Sequence, residues 1–75
     1  EDERLMAELR ELRKQLADAQ AIPAYIVMSD KVLHNIVQAK PTTLDAFGEI
    51  PGISDYKKEK YGKDFIAVIK KIKSV

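Results

Sequence analysis

The segment Ile50-Pro51-Gly52-Ile53-Ser54 places a proline and a glycine between two isoleucines. Proline restricts the backbone and glycine adopts a positive φ that other residues avoid, so this segment predicts a tight turn. Residues 55–60 contain no glycine or proline and predict a short helix, which Gly62 ends in the left-handed conformation. Because apolar segments lie on both sides, we expect a corner that folds two helices onto one core.

The chain is short and contains no cysteine. A chain of 75 residues forms one small domain, and without cysteine neither a disulfide nor a thiolate metal site can stabilise it. The domain must therefore depend on an apolar core with good helix packing. No apolar segment approaches the roughly 18 residues that span a bilayer, and we expect no signal peptide. Since residue 1 is Glu rather than Met, we expect residues 1–75 to be a single domain taken from a larger protein.

Charge is balanced overall but unevenly distributed. The formal net charge is +1, which is lower than in most dedicated nucleic-acid-binding domains. Acidic residues are concentrated at the start of the chain, and lysines at its end: Lys57, Lys58, Lys60, Lys63, Lys70, Lys71 and Lys73. We therefore expect a positive local potential near the C-terminal half.

The first helix is predicted over residues 3–20. Its leucines, spaced by four, three and four residues, form one stripe of helical period: Leu5, Leu9, Leu12 and Leu16. Asp2 is a candidate N-cap. The stripe covers only about two heptads, so a core helix is favoured over a coiled coil. Ile22-Pro23 is expected to end the helix, because a residue before proline avoids the helical region.

The following segment, residues 23–28, is apolar and partly β-branched. These residue types favour a strand, but no second strand is available to pair with it, so an extended linker or a single helical turn is favoured. Ser29 is then predicted to cap a helix over residues 30–39 whose buried stripe is Val32, Leu33, Ile36 and Val37.

Two more segments complete the predicted fold. Pro41 is expected to stop the helix over residues 30–39. Thr42 is expected to cap a short helix in a capping box with Asp45. The last helix is predicted over residues 63–73, with Phe65, Ile69 and Ile72 as its stripe. The fold class is therefore all-α, a compact bundle of about five short helices that we expect to be monomeric.

The residue patterns do not indicate an active site. The single histidine, His34, is predicted at the edge of a buried stripe, and Glu8 and Glu11 on a solvated helix face. No segment has metal-ligand spacing, a phosphate-binding loop or a dinucleotide fingerprint. We expect no enzyme activity, metal or cofactor in this chain.

Two features suit nucleic-acid binding. A turn with glycine between apolar residues can present backbone N–H groups to a phosphate, but Asp55 at the following helix start would repel one, so a packing corner is favoured. Tyr25 lies after a proline, where its ring can be exposed to stack a base or can instead cover the core. Tyr56 and Tyr61 are predicted to pack at the corner.

The order of several motifs resembles the HRDC domain (helicase and RNase D C-terminal), and the resemblance covers nearly the whole chain. The matching residues are Leu9-Arg10-Glu11-Leu12-Arg13, Ile22 to Asp30, Leu33, Pro41-Thr42-Thr43-Leu44, Ile50-Pro51-Gly52-Ile53, Lys57 and Tyr61-Gly62-Lys63-Asp64-Phe65. With an aromatic residue in the Pro-x-Tyr-Ile-Val stretch, the chain resembles the HRDC domains of bacterial RecQ helicases more than those of ribonuclease D.

The resemblance implies a non-catalytic helical domain that helps an ATP-dependent helicase choose single-stranded or junction DNA and regulates that enzyme. ATP and Mg²⁺ are then expected in the parent enzyme, in the cytoplasm at the nucleoid. The family's aromatic binding position corresponds to Tyr25, and we expect Lys57, Lys58 and Lys60 to contact DNA. Glu8 and Glu11 are candidates for a protein-interaction surface. The alternatives are docking on the helicase core or a partner, and an RNA-processing role beside a ribonuclease D-like exonuclease.

This chain departs from the family pattern at two positions. Ser54 stands where many members have a second glycine, which weakens the case for a phosphate-binding turn. Lys58 stands where members usually have an apolar residue, so we expect that helix to show a wetter and more basic face.

Overall fold

The described part of the chain, residues 2–73, contains five α-helices and no strand in the computed structural model. They are α1 (Asp2–Gln20), α2 (Ala24–Val27), α3 (Asp30–Ala39), α4 (Leu44–Gly48) and α5 (Asp55–Lys73). The predicted all-α bundle of about five helices is confirmed. Its division is different, because α2 is a helix in its own right and the last two predicted helices are one.

Helix α5 is continuous, so the prediction that Gly62 ends a short helix was wrong. Of the glycines, only Gly52 has a positive φ, at 94°, and Gly62 lies buried within the helix. A Cβ atom added at Gly62 would lie 2.5 Å from Cδ2 of Leu44. Gly62 therefore allows α5 to approach α4 closely, and this packing offsets the roughly 1 kcal/mol that glycine costs within a helix.

Helix α1 packs as a core helix. Leu5 and Leu9 are buried, while Leu12 and Leu16 are partly buried against the same core. Asp2 is the first residue of α1 and not its N-cap, so that prediction was wrong. Its carboxylate instead lies 2.9 Å from Nζ of Lys40 and ties the start of α1 to the end of α3.

Helix α1 ends at Gln20, as predicted, although the chain turns at Ala21 and not at the residue before the proline. Ala21 has a φ of 56°, in the left-handed region. The Ile22 N–H donates to the Ala17 carbonyl at 3.0 Å, and the Ala21 N–H donates to the Asp18 carbonyl at 3.2 Å. These two bonds form a Schellman motif, which satisfies carbonyls that a helix end leaves without partners.

Helix α3 follows its prediction closely. The Ser29 side chain accepts a hydrogen bond from the Val32 N–H, and the helix covers Asp30–Ala39 as predicted. Its four predicted stripe residues are all buried. The segment before it forms a single helical turn, α2. Of the alternatives for residues 23–28, the helical turn is therefore correct, and the strand that residue preferences favoured is wrong.

Helix α4 is capped by Thr43 and not by Thr42. The Thr43 side chain accepts a hydrogen bond from the Ala46 N–H at 3.1 Å. The predicted capping box needs a polar side chain at this third helical position, where the chain has alanine. Asp45 lies instead 4.0 Å from Nζ of Lys58 on α5.

One apolar core joins the helices. Phe47 and Phe65 are fully buried, with ring centroids 5.9 Å apart. Within residues 2–73 the buried side chains are all apolar or aromatic, and Tyr61 is the one that carries a hydroxyl. None of the five helices is both long and apolar enough to cross a membrane.

Candidate nucleic-acid interface

Tyr25 lies on α2, in a turn that presents its ring to solvent. Pro23 precedes the helix with a φ of −63°, and the Met28 N–H closes the turn on the Ala24 carbonyl at 3.3 Å. Val27 and Met28 are fully buried, which directs Tyr25 outward with 67% of its surface exposed. Its ring is therefore accessible for stacking and does not cover the core.

Arg13 holds the end of this turn in place. Its Nη1 atom donates to the Met28 carbonyl at 2.9 Å and to Oδ1 of Asp30 at 2.8 Å. The Arg13 side chain is only 14% exposed. Its hydrogen bond and positive charge lower the pKa of Asp30 below the ordinary value of 3.8. Tyr25 is thus carried by an anchored segment, which reduces the ordering cost of binding.

The three predicted lysines, in the first turns of α5, do not all lie on one face. Successive helix residues are about 100° apart, so Lys57 and Lys60 are neighbours about 60° apart, whereas Lys58 lies about 100° from Lys57 and about 160° from Lys60. Lys58 is turned toward α4, where its aliphatic chain lies against Gly48 and its amine pairs with Asp45. The Lys58 side chain is only 26% exposed. The prediction that Lys58 gives this helix a wetter and more basic face is therefore wrong.

Lys60 lies between two tyrosines. Its Nζ atom donates to the Tyr56 hydroxyl at 3.0 Å and lies 5.4 Å from the Tyr56 ring centroid and 5.9 Å from that of Tyr61. The hydrogen bond to Tyr56 raises the pKa of Lys60 above its ordinary 10.5. Lys60 is therefore a permanent cation at neutral pH, next to an exposed aromatic ring.

The two other tyrosines differ in burial. Tyr61 is buried, as predicted, and Tyr56 is 65% exposed, so the prediction that Tyr56 packs in the corner was wrong. Tyr61 faces α1, where its hydroxyl lies 3.0 Å from Nε2 and 3.2 Å from Oε1 of Gln20. This contact joins the end of α1, from which the α2 turn begins, to the lysine-bearing part of α5.

The Ile50–Ser54 turn is built for packing. Gly52 has the predicted positive φ, and a Cβ atom added there would lie 2.4 Å from Cγ2 of Val32. Asn35 Nδ2 donates to the Pro51 carbonyl at 3.2 Å, which fixes the turn against α3. The Ser54 hydroxyl accepts from the Lys57 N–H at 3.2 Å and so occupies a donor that a phosphate would need. These contacts favour the packing corner over a phosphate site.

The acidic candidates lie on α1. Glu11 is exposed and Glu8 is half-buried. Neither of them takes part in the ion pairs of Arg13, Lys14, Lys40 and Lys58. Their charges are thus available to a partner surface.

A shallow groove of about 360 Å³ lies between α1 and α3. Its lining includes His34, Arg10, Met6 and Val37. His34 is exposed, consistent with its predicted place at the edge of the α3 stripe. Within the described residues, no three histidine or acidic side chains come together as metal ligands would.

The sequence pattern of the HRDC domain matches residues 2–69, nearly the whole chain. This chain belongs to the HRDC domain family. Its fold agrees with a solved HRDC structure, D. radiodurans RecQ HRDC domain 3, with a TM-score of 0.93. That match has 28% sequence identity and covers 96% of this chain and 95% of the other. The family resemblance read from the motifs is confirmed.

Relatives of this HRDC domain occur in bacterial helicases. The chain is 40% identical over 74 residues to the ATP-dependent DNA helicase RecQ of Haemophilus influenzae and 42% identical to that of Pasteurella multocida, covering 99% of this chain in each case. It is 38% identical over 69 residues, 92% of this chain, to the ATP-dependent DNA helicase UvrD2 of Mycobacterium tuberculosis. The chain spans only 10–12% of the length of these relatives.

Proposed function

We propose that this HRDC domain is a non-catalytic accessory module of a RecQ-type ATP-dependent DNA helicase that guides the enzyme to single-stranded or branched DNA and regulates it. The observation that carries the proposal is the exposed Tyr25 ring on an anchored turn, joined through Gln20 and Tyr61 to a lysine-bearing helix. An exposed aromatic ring can stack an unpaired base while lysines elsewhere on the same surface contact the phosphates.

The parent enzyme is proposed from the relatives. The proteins named above are DNA helicases, which favours a helicase over a ribonuclease D-like exonuclease. In such an enzyme ATP and Mg²⁺ would bind the motor domains and not this module, and the complex would act on the bacterial nucleoid in the cytoplasm. The sequence upstream of Glu1 tests this directly: it should contain a helicase phosphate-binding loop, and exonuclease carboxylates in its place would refute it.

The expected affinity is weak and depends on salt. With a net charge of +1 the long-range attraction is small, so the base contact should contribute much of the binding free energy. No helix within residues 2–73 belongs to a helix-turn-helix or similar major-groove motif, so we expect single strands and junctions to be preferred over duplex DNA.

The binding test is a fluorescence anisotropy titration of labelled single-stranded DNA at low salt. Tyr25→Ala should weaken binding roughly ten-fold or more, because base stacking on an aromatic is worth about 1–3 kcal/mol. Tyr25→Phe should bind nearly as wild type. Ile26→Ala is the matched control, because Ile26 is the neighbouring exposed apolar side chain on α2.

Charge-neutralising variants complete the test. Lys57→Gln and Lys60→Gln should each lower affinity for all sequences and reduce the slope of log K against log salt by about 0.7 per phosphate contact. Lys58→Gln should have a smaller effect, since Asp45 already pairs with this lysine.

The second candidate function is docking on the helicase core or on a protein partner. It is favoured by the uncompensated carboxylates of Glu8 and Glu11 on α1. Absence of DNA binding, or binding that responds neither to Tyr25→Ala nor to salt, would decide for docking. Glu8→Gln and Glu11→Gln should then weaken association of the module with its helicase.

A further inference from the structure

The solvent-facing side of α5 carries a basic stripe. Helical spacing places six exposed residues along it: Tyr56, Lys60, Lys63, Ala67, Lys70 and Lys71. The stripe contains four lysines and no acid, and its aromatic member lies at the N-terminal end. The acids Glu59 and Asp64 fall on its two sides. At about 1.5 Å per residue the stripe is about 22 Å long, enough to follow a nucleic-acid backbone over several phosphates.

A groove runs beside the middle of this stripe. It has a volume of about 350 Å³, and Lys63, Ala67 and Lys70 form the wall on α5. Thr42 and Thr43 form the opposite wall, and Leu44 and Ile66 contribute apolar surface. Hydroxyl groups and lysines around an apolar floor suit a sugar and its phosphate.

The exposed ring of Tyr56 is held in place. The hydrogen bond from Lys60 Nζ fixes the hydroxyl end of the ring, and the ammonium lies 5.4 Å from the ring centroid. The Tyr56 hydroxyl accepts this hydrogen bond, and 65% of the tyrosine surface remains exposed to solvent. A ring restrained in this way loses little freedom when a base stacks on it.

We propose that the outer face of α5 is a binding track for single-stranded DNA, with one base stacked on Tyr56 and phosphates at Lys60, Lys63 and Lys71. The inference rests on the proposed DNA-binding function and adds a second stacking residue to it. Charge decides the occupant, since this surface attracts a polyanion, and the exposed aromatic ring favours a polyanion that carries bases.

The experiment compares two labelled 15-mers in anisotropy titrations, oligo-dT and an abasic strand with the same phosphates. Tyr56→Ala should weaken oligo-dT binding at least five-fold and leave abasic binding unchanged, because only the former can stack. Tyr56→Phe should bind oligo-dT within two-fold of wild type, since the ring remains. Equal loss with both strands, or no loss with either, would overturn the role of Tyr56.

The phosphate track is tested by charge. Lys63→Gln with Lys71→Gln should reduce the salt slope by about 1.4 for both strands, which is about 0.7 for each lost contact. The matched control is Lys14→Gln with Lys31→Gln, which removes the same charge from exposed sites on α1 and α3 and should leave the slope unchanged. All four lysines are exposed, so circular dichroism should show every variant folded. Equal slopes in the two double variants would refute the track.

Failure of the inference and failure of the proposed function give different results. If wild type does not bind oligo-dT, both are wrong. If Tyr25→Ala weakens binding while the Tyr56 and Lys63/Lys71 variants match wild type, only the α5 track is wrong. If the Tyr56 variant weakens binding and Tyr25→Ala does not, the α5 track stands and Tyr25 has no role.

Discussion

Replacing Gly52 with alanine tests the corner on which the fold turns. Gly52 has a φ of 94°, in a region that residues with a side chain rarely adopt. The new methyl group would also lie 2.4 Å from Cγ2 of Val32, far inside van der Waals contact. Val32 is β-branched and its χ1 is stiff within a helix, so it cannot simply rotate away.

Three effects set the magnitude. The backbone conformation costs alanine about 1–2 kcal/mol, and overpacking against Val32 costs about 1–3 kcal/mol. Alanine also lowers the conformational entropy of the unfolded chain, which stabilises the folded state by about 0.4–1 kcal/mol. The net loss is about 1–4.6 kcal/mol with a centre near 3 kcal/mol, a large part of the roughly 3–5 kcal/mol that one core of this size supplies. Gly52→Ala should therefore be partly unfolded at 37 °C.

The assay is urea unfolding followed by circular dichroism at about 15 °C, near the usual temperature of maximum stability. Gly62→Ala is the matched control, because it makes the same chemical change within a helix. There the new methyl would lie 2.5 Å from the flexible end of the half-exposed Leu44 side chain and 3.5 Å from the Phe47 ring, which is ordinary contact, and alanine gains about 1 kcal/mol of helix propensity. We expect its loss to be below about 1.5 kcal/mol.

A double-mutant cycle with Val32→Ala separates the two costs. In the Val32→Ala background the steric cost disappears and only the φ cost of about 1–2 kcal/mol remains. A loss below about 0.5 kcal/mol for Gly52→Ala in the wild-type background would refute the reasoning, since that is the scale of an ordinary surface change. If the effects of Gly52→Ala and Val32→Ala simply add, the steric contact with Val32 is refuted, while the cost of the positive φ is not.

Three further predictions address the core, a helix end and pH. Phe65→Ala, which empties a fully buried site beside Phe47, should cost roughly 3–5 kcal/mol in the same urea assay, and equal stability would show that α5 does not pack as described. Ala21→Gly should stabilise by about 0.5–1 kcal/mol and raise Tm by a few degrees, because glycine relieves the left-handed strain at a φ of 56°. Arg13 lowers the pKa of Asp30, so the ion pair stabilises the fold above the ordinary pKa and is lost as pH falls through the lowered one. The stability difference between wild type and Asp30→Asn should therefore narrow between about pH 5 and pH 2, and a constant difference would contradict this.

The candidate site was only partly visible in the sequence. Tyr25 was identified from its position after a proline and from the family resemblance, and the structure places its ring in solvent. Lys58 looked equivalent to Lys57 and Lys60, but its surroundings on α4 come from residues ten or more positions away. The exposure of Tyr56 could have been detected from its helical spacing with Lys60 and Lys63, had residues 55–73 been treated as one helix. The DNA-binding roles of these residues, the partner surface at Glu8 and Glu11, and the monomeric state stay predictions.

Local interactions determined what the sequence predicted well. The helix α3, its Ser29 cap and its buried stripe depend on residues within one or two turns of each other, so spacing alone predicts them. The positive φ of Gly52 follows in the same way from a turn only a few residues long. The family resemblance also belongs to the sequence, because it depends on the order of short motifs along nearly the whole chain.

Tertiary structure decided the features that depend on distant residues. Glycine is a common helix terminator and also permits close helix packing, and only the position of Leu44 against Gly62 shows which role applies here. Similarly, Ala21 carries no signal for a left-handed helix end, yet the packing of α2 back onto α1 requires the chain to turn there. In both cases the local conformational preference is worth about 1 kcal/mol, and burial of apolar side chains between helices, worth about 1.5–3 kcal/mol for each large residue, outweighs it.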